Sequence, residues 1–201
     1  MLKVGLTGGL ASGKSLVGDV LVRLGCQLLS ADAAGHEVLQ PGGEAYAPVV
    51  AEFGEAILRE DGVIDRRALA SRVFSNPELL AKLNSIVHPA VFRREEEFFR
   101  RVESGDPSGI AVVEAAILVE TGSYRKFDRL MVTVCDRETQ IARAIKRDGL
   151  TRTEVEARLD RQLPAEELRR VADFVIDTSG TKENTTAQVG EVYRALRSLA
   201  E

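Results

Sequence analysis

Eight consecutive residues, Gly8-Gly9-Leu10-Ala11-Ser12-Gly13-Lys14-Ser15, carry the densest chemistry in the chain. They fit the pattern G-x-x-x-x-G-K-[ST], in which glycines let successive backbone N–H groups turn toward phosphate oxygens. An apolar run precedes them at residues 3–7, and Val17, Val20, Leu21 and Leu24 follow at helical spacing. The chemistry needs this order of strand, loop and helix, because the helix N-terminus adds partial positive charge beside the phosphates. Lys14 is placed to reach β- and γ-phosphates, and the Ser15 hydroxyl to ligate Mg²⁺. With Leu16 at the start of the helix, residues 8–16 form the expected ATP-binding run.

Other candidates stand further along, each with a duller reading beside the chemical one. Asp32 ends Ser30-Ala31-Asp32, just after a second apolar run. Ligands on open α/β sheets gather beyond the carboxyl ends of strands, where Asp32 could take a proton from an acceptor hydroxyl. It is equally a good N-cap for a helix over 33–39. Glu114 follows a third apolar run and is either a carboxylate that holds Mg²⁺ through water or one paired with a basic group. Arg66 is either a contact for an acceptor phosphate or a salt bridge within its own arm. His88 precedes Pro89 and either touches the acceptor or closes a turn. Arg143 and Arg147, four apart, share one helix face. That face is either a solvated charge stripe or a source of phosphate contacts, with Arg147 forking onto phosphate oxygens.

The elements that must position these groups follow from five short apolar runs, at 3–7, 26–29, 110–113, 130–134 and 174–176, separated by helical patterns. Such alternation predicts an α/β fold with a parallel sheet covered on both faces. Residues 30–109 are too many for one crossover helix. They contain a long charged helical pattern at 79–102 and turn signals at 41–43, 61–62, 76–77 and 105–109. Residues 136–171 form a second excursion, rich in arginine. The expected organisation is a nucleotide-binding core of 1–32, 108–136 and 172–201, a helical substrate-binding insertion of 33–107, and a lid of 137–171.

The chain has 201 residues, 44% of them hydrophobic and 29% charged, with a formal net charge of −4. No broad positive field for nucleic acid follows from that balance. Cys26 and Cys135 have no CxxC spacing and sit in apolar runs, which predicts two reduced core thiols and a cytoplasmic protein. The sequence shows no signal-peptide pattern and no run long enough to span a membrane. A GTPase is disfavoured. Asp106-Pro107-Ser108-Gly109 spells D-x-x-G on the wrong side of its strand, and Thr181-Lys182-Glu183-Asn184 ends in an amide where guanine needs a carboxylate. A kinase and a non-catalytic nucleotide-binding regulator remain.

Residues 5–15, Gly-Leu-Thr-Gly-Gly-Leu-Ala-Ser-Gly-Lys-Ser, resemble the opening of the dephospho-coenzyme A kinases, which usually have Gly at the place of Ala11. Ser30-Ala31-Asp32 resembles that family's D-A-D. Further matches are Phe53-Gly54, Asp61-Gly62-Val63-Ile64-Asp65-Arg66 and Leu83-Asn84-Ser85-Ile86-Val87-His88-Pro89. Ala116-Ile117-Leu118-Val119-Glu120 resembles P-L-L-F-E. Gln140, Arg143 and Arg147 match Q-x-x-R-x-x-x-R, and Arg158 and Gln162 match R-x-x-x-Q. Residues 172–178 resemble A-D-x-V-I-D-N, with Thr178 in place of Asn. The resemblance implies a P-loop kinase-like three-layer fold with a five-stranded parallel sheet, a helical acceptor-binding arm and a lid. It implies transfer of the ATP γ-phosphoryl group to the ribose 3′-hydroxyl of dephospho-coenzyme A. Lys14, Asp32 and Arg147 would then be the catalytic residues, and Asp32, Arg66 and His88 the acceptor contacts. Arg143 and Arg147 join residues 8–16 in binding ATP, and Ser15 and Glu114 serve Mg²⁺. A monomer working on ATP and dephospho-coenzyme A, without nucleic acid or membrane, is expected. The alternatives are a kinase for another nucleotide or small-molecule hydroxyl, and the regulator.

Overall fold

The computed structural model describes residues 1–74 and 76–201. Each of the five apolar runs forms a strand: β1 (Leu2–Gly8), β2 (Gln27–Ser30), β3 (Ile110–Glu114), β4 (Arg129–Val134) and β5 (Phe174–Asp177). They make one parallel sheet in the order β2-β3-β1-β4-β5. Val4, Leu6, Val112, Val113, Met131 and Val132 are fully buried. Strands covered on both faces need apolar side chains in both directions, so their sequences read as unbroken aliphatic runs.

The helices are α1 (Lys14–Arg23), α2 (Ala31–Glu37), α3 (Tyr46–Phe53), α4 (Arg66–Phe74), α5 (Pro77–Gly105), α6 (Arg137–Asp148), α7 (Arg152–Leu159), α8 (Ala165–Val171) and α9 (Lys182–Ala200). The chain divides into two compact units: Met1–Leu29 with Phe99–Glu201, and Ser30–Phe98. α5 therefore begins in one unit and ends in the other. In the first unit, Val17 and Leu21 of α1 and Val189 and Leu196 of α9 pack with Val4 and Leu6 of β1. The second unit has its own core, built on Val38, Val49, Phe53, Ile57, Ile64 and Leu69.

Several local expectations change. No turn forms at His88-Pro89, because α5 runs straight through Pro89. A proline inside a helix costs about 3 kcal/mol, but Leu79, Leu83, Ile86, Val87, Ala90 and Val91 all pack into the second core, and that burial outweighs the lost backbone bond. Cys26 is a buried free thiol, pushed up to about 11 by loss of solvent against a smaller opposing pull from Arg197. Cys135 is free but only half-buried, just beyond β4, with Arg143 Nη1 donating to its Sγ at 3.4 Å. The two GTPase look-alikes are local caps and turns. Gly109 N donates to Asp106 O (2.9 Å), and Asn184 N donates to Thr181 Oγ1 (3.2 Å) at the start of α9.

Candidate active site

β1 delivers Gly8 to the loop and α1 starts at Lys14. Gly13 caps α1 with φ +86° and no side-chain hydrogen bond. A Cβ on Gly13 would also lie 3.1 Å from Thr178 Cγ2, so glycine is needed there for conformation and for space. Ala11, with φ 53°, is the non-glycine residue at positive φ among the described residues. Left-handed backbone costs an L-residue about 1–2 kcal/mol, which explains why glycine is usual at this place in the family the sequence resembles. Leu10 and Ala11 pack against Ile141, Ala144, Val155 and Leu159 of α6 and α7.

Polar side chains from distant segments grip the same loop. Gln140 Nε2 donates to Leu10 O, and Leu10 N donates to Gln162 Oε1, both at 2.8 Å. Buried Ser12 shares a 2.7 Å hydrogen bond with Thr133 of β4. Thr178 Oγ1 donates to Ser12 O (2.8 Å), and Arg143 donates to Thr178 O (2.7 Å) and Oγ1 (3.1 Å). Lys14 curls over the loop, donating to Gly8 O (2.7 Å) and Gly9 O (3.1 Å). Ser15 is exposed in the first turn of α1, whereas the Leu16 side chain packs on the core and leaves only its N–H for a ligand. A cavity of about 440 Å³ lies against Gly9, Ser12, Gln140 and Gln162, but neither Lys14 nor Ser15 lines it. It sits beside the loop, apart from those two side chains.

Glu114 ends β3, and a Cβ on Gly18 would lie 3.5 Å from its Oε2. Gly18 is three residues from Ser15 on the same face of α1. A hydroxyl and a carboxylate are the hard oxygen donors Mg²⁺ prefers, and Mg²⁺ takes few protein ligands when phosphates supply the rest. Among the described residues no group of three or more His, Cys, Asp or Glu could hold a metal by itself. The two arginines of α6 part company. Arg143 points inward to Thr178, while Arg147 forks onto Asp148 at 2.7 and 2.9 Å and is exposed. That fork raises the pKa of Arg147 and holds the Asp148 carboxyl below its ordinary range.

Asp32, Arg66 and His88 belong to the second unit, and all three are exposed. Asp32 is not the N-cap of α2. Ser30 takes that place, its Oγ accepting from Ala33 N at 3.2 Å. The helix starts two residues earlier than expected, so Asp32 falls inside the first turn. Its carboxylate has no hydrogen-bond partner among the described residues. Arg66, first residue of α4, contacts His36 Nδ1 through Nη1 at 3.3 Å. The His88 ring is tilted at 49° to Phe92 at 6.1 Å. Sequence reasoning gave no role to His36, although it stands four residues beyond Asp32. It also missed the loop-holding parts of Gln140, Gln162, Thr133 and Thr178.

A strand, a glycine-rich loop and a lysine-led helix in a sheet of order β2-β3-β1-β4-β5 define a P-loop kinase. Residues 2–184 match the family model described as CoaE, dephospho-CoA kinase. A dephospho-CoA kinase of Geobacter sulfurreducens is 43% identical over 193 residues, covering 94% of this chain and 96% of that one. One from Thermobifida fusca is 41% identical, covering 98% and 97%. Among solved structures, TT1252 from Thermus thermophilus superposes with a TM-score of 0.86 at 31% identity, covering 96% of each chain. A dephospho-CoA kinase from Campylobacter jejuni gives 0.73 at 25% identity, covering 98% of this chain and 97% of that one. A shikimate kinase from Acinetobacter baumannii, at 17% identity and a TM-score of 0.51, shares the fold. The chain belongs to the dephospho-CoA kinase family.

Proposed function

We propose that this chain transfers the γ-phosphoryl group of ATP to the ribose 3′-hydroxyl of dephospho-coenzyme A, giving coenzyme A and ADP as the last step of coenzyme A synthesis. The observation that carries the reading is the firmly held loop of residues 8–15, with Lys14 at the head of α1, in a chain of this family. Phosphoryl transfer passes through a loose transition state and asks mainly for position and charge. The loop N–H groups, through Leu16, hold the phosphates, and Lys14 leaves its loop carbonyls to meet the transferring group. Arg147 would exchange Asp148 for phosphate oxygens, while Arg143 keeps the loop in shape from behind. Asp32, free of any capping duty, takes the proton of the acceptor hydroxyl late in the transfer. Arg66 and His88 contact the acceptor. Ser15 and Glu114 would hold Mg²⁺, which would supply positive charge against that of the phosphates when bound with ATP. The arm of residues 137–171 acts as a lid that excludes water and limits wasteful hydrolysis. The reading includes a monomer in the cytoplasm. No helix among the described residues is long and apolar enough to cross a membrane.

The test is an acceptor panel with Mg-ATP, following ADP and the phosphorylated product by phosphorus NMR. Dephospho-coenzyme A should give a 3′-phosphate, and its 3′-deoxy analogue should be inert. Faster transfer to another hydroxyl, or nucleotide binding without transfer to any acceptor, would overturn the reading.

A further inference from the structure

The chain of contacts that singles out His36 starts with α2. Asp32 and His36 are four residues apart on this helix and share one face. Arg66 Nη1 lies 3.3 Å from His36 Nδ1. A guanidinium carries N–H donors and no acceptor, so the hydrogen bond requires a bare lone pair on Nδ1. The imidazole must then carry its single proton on Nε2. Putting a second proton on Nδ1 would break that bond and set two cations against each other. Loss of solvent and then the Arg66 charge both hold the pKa of His36 below its ordinary value, with Asp32 pulling the other way. The ring is therefore neutral near pH 7, with one donor, Nε2–H, in an exposed side chain. Among the described residues nothing accepts from it. Beside it stands the Asp32 carboxylate, also without a hydrogen-bond partner. α2 thus presents one acceptor and one neutral donor on the same face.

Those two groups suit two neighbouring hydroxyls, one giving up a proton and the other receiving a hydrogen bond. A phosphate would suit this pair poorly, because Asp32 would repel it and a neutral imidazole offers it no charge. On the assignment of Asp32 to the acceptor 3′-hydroxyl, we propose that His36 is a specificity-determining residue whose Nε2–H donates to the ribose 2′-hydroxyl oxygen of the acceptor. Arg66 acts through His36 by fixing the tautomer. His36 thereby sets how strongly the enzyme prefers a ribose over a 2′-deoxyribose acceptor.

The experiment compares dephospho-coenzyme A with its 2′-deoxy analogue in wild type, His36→Phe and His36→Gln. Losing one hydrogen bond should lower wild-type kcat/KM for the 2′-deoxy acceptor by about 10–100-fold. His36→Phe keeps ring shape without a donor and should bring that ratio close to one by slowing use of the ribose acceptor. His36→Gln restores an N–H near the same reach and should recover part of the preference. KM for ATP and the melting temperature should stay near wild type in both variants, as befits an exposed residue. Nitrogen-15 shifts of His36 should report the Nε2–H form in wild type and a mixture of tautomers in Arg66→Met. A wild type that turns over both acceptors equally, or a His36→Phe variant with undiminished preference, would overturn the assignment of His36 alone. A wild type inert toward dephospho-coenzyme A would overturn the kinase reading and this proposal together.

Discussion

Ser12 and Thr178, behind the phosphate loop, are each 1% exposed, and hydrogen bonds tie them to β4, to Arg143 and to each other. Asp32, His36, Arg66 and His88, in the second unit, are all exposed. Among the described residues those four side chains form a single hydrogen bond, between Arg66 and His36. On the proposed function, the difference follows from what each region must do. Backbone dipoles that stabilise developing charge work only if they are fixed beforehand, so the loop is built into the core. Groups that recognise a hydroxyl must stay open to it, and their polar atoms find partners when the ligand arrives. Substitutions behind the loop should therefore register in stability, and those in the second unit in acceptor use.

Five substitutions can break or sharpen that contrast. The largest effect belongs to Lys14→Ala, which removes the charge that meets the transferring group and should cut turnover by about 10²-fold or more. Its melting temperature should hold, since Lys14 is half-exposed and outside the core. A well-folded Lys14→Ala protein with normal turnover would remove the loop from the chemistry. Arg143→Ala comes next. It strips two hydrogen bonds from Thr178 and should cost about 2–3 kcal/mol in denaturant melts, with weaker ATP binding. Arg147→Ala should leave stability near wild type, because an exposed fork onto a neighbouring carboxylate contributes little, while still slowing transfer. Equal melting behaviour of the two variants would refute the inward and outward roles given to these arginines. His88→Ala should raise the acceptor KM by about tenfold, with ATP KM and melting unchanged; a shift in ATP KM instead would move His88 out of acceptor binding. The smallest change has the opposite sign. Ala11→Gly should relieve left-handed strain and stabilise the protein by about 0.5–1 kcal/mol, or about 1–4 °C in melting temperature. A lower melting temperature would mean that the packing of the Ala11 methyl on α6 and α7 outweighs the strain.

The sheet was legible because its central strands, buried on both faces, must be largely aliphatic, and each of the five runs lies within a residue or two of its strand. The loop was legible for a related reason. Its function needs glycines and a lysine at fixed spacing, which leaves a contiguous trace. What holds the loop left none. Thr178 and Ser12 are 166 residues apart, and Leu10 and Gln162 are 152, so no local pattern links them. Gln140 and Gln162 could be quoted as parts of motifs without their partners being known. The cap reading of Asp32, held beside the chemical one, falls because Ser30, two residues earlier, caps equally well, and only the backbone at Ala33 decides between them. At His88-Pro89 the local rule favoured a turn, and burial of six apolar neighbours overrode it. The i,i+4 rule put Arg143 and Arg147 on one face, but it could not tell that Thr178 waits beside one and Asp148 beside the other. His36 was findable by that same rule from Asp32. Its significance lies in the tautomer that Arg66 imposes from 30 residues away.

Asp32→Asn tests the central claim most directly, that an exposed carboxylate in the second unit does the proton chemistry while the loop holds the nucleotide. The substitution keeps size and first-turn compatibility but removes the negative charge. Thermal melting, ATP titration and steady-state transfer to dephospho-coenzyme A should be run on one preparation. The account predicts unchanged melting, unchanged ATP affinity and turnover lower by about 10²-fold, at the modest end for a general base because a loose transition state asks little of it. Undiminished turnover in a well-folded Asp32→Asn protein would contradict it.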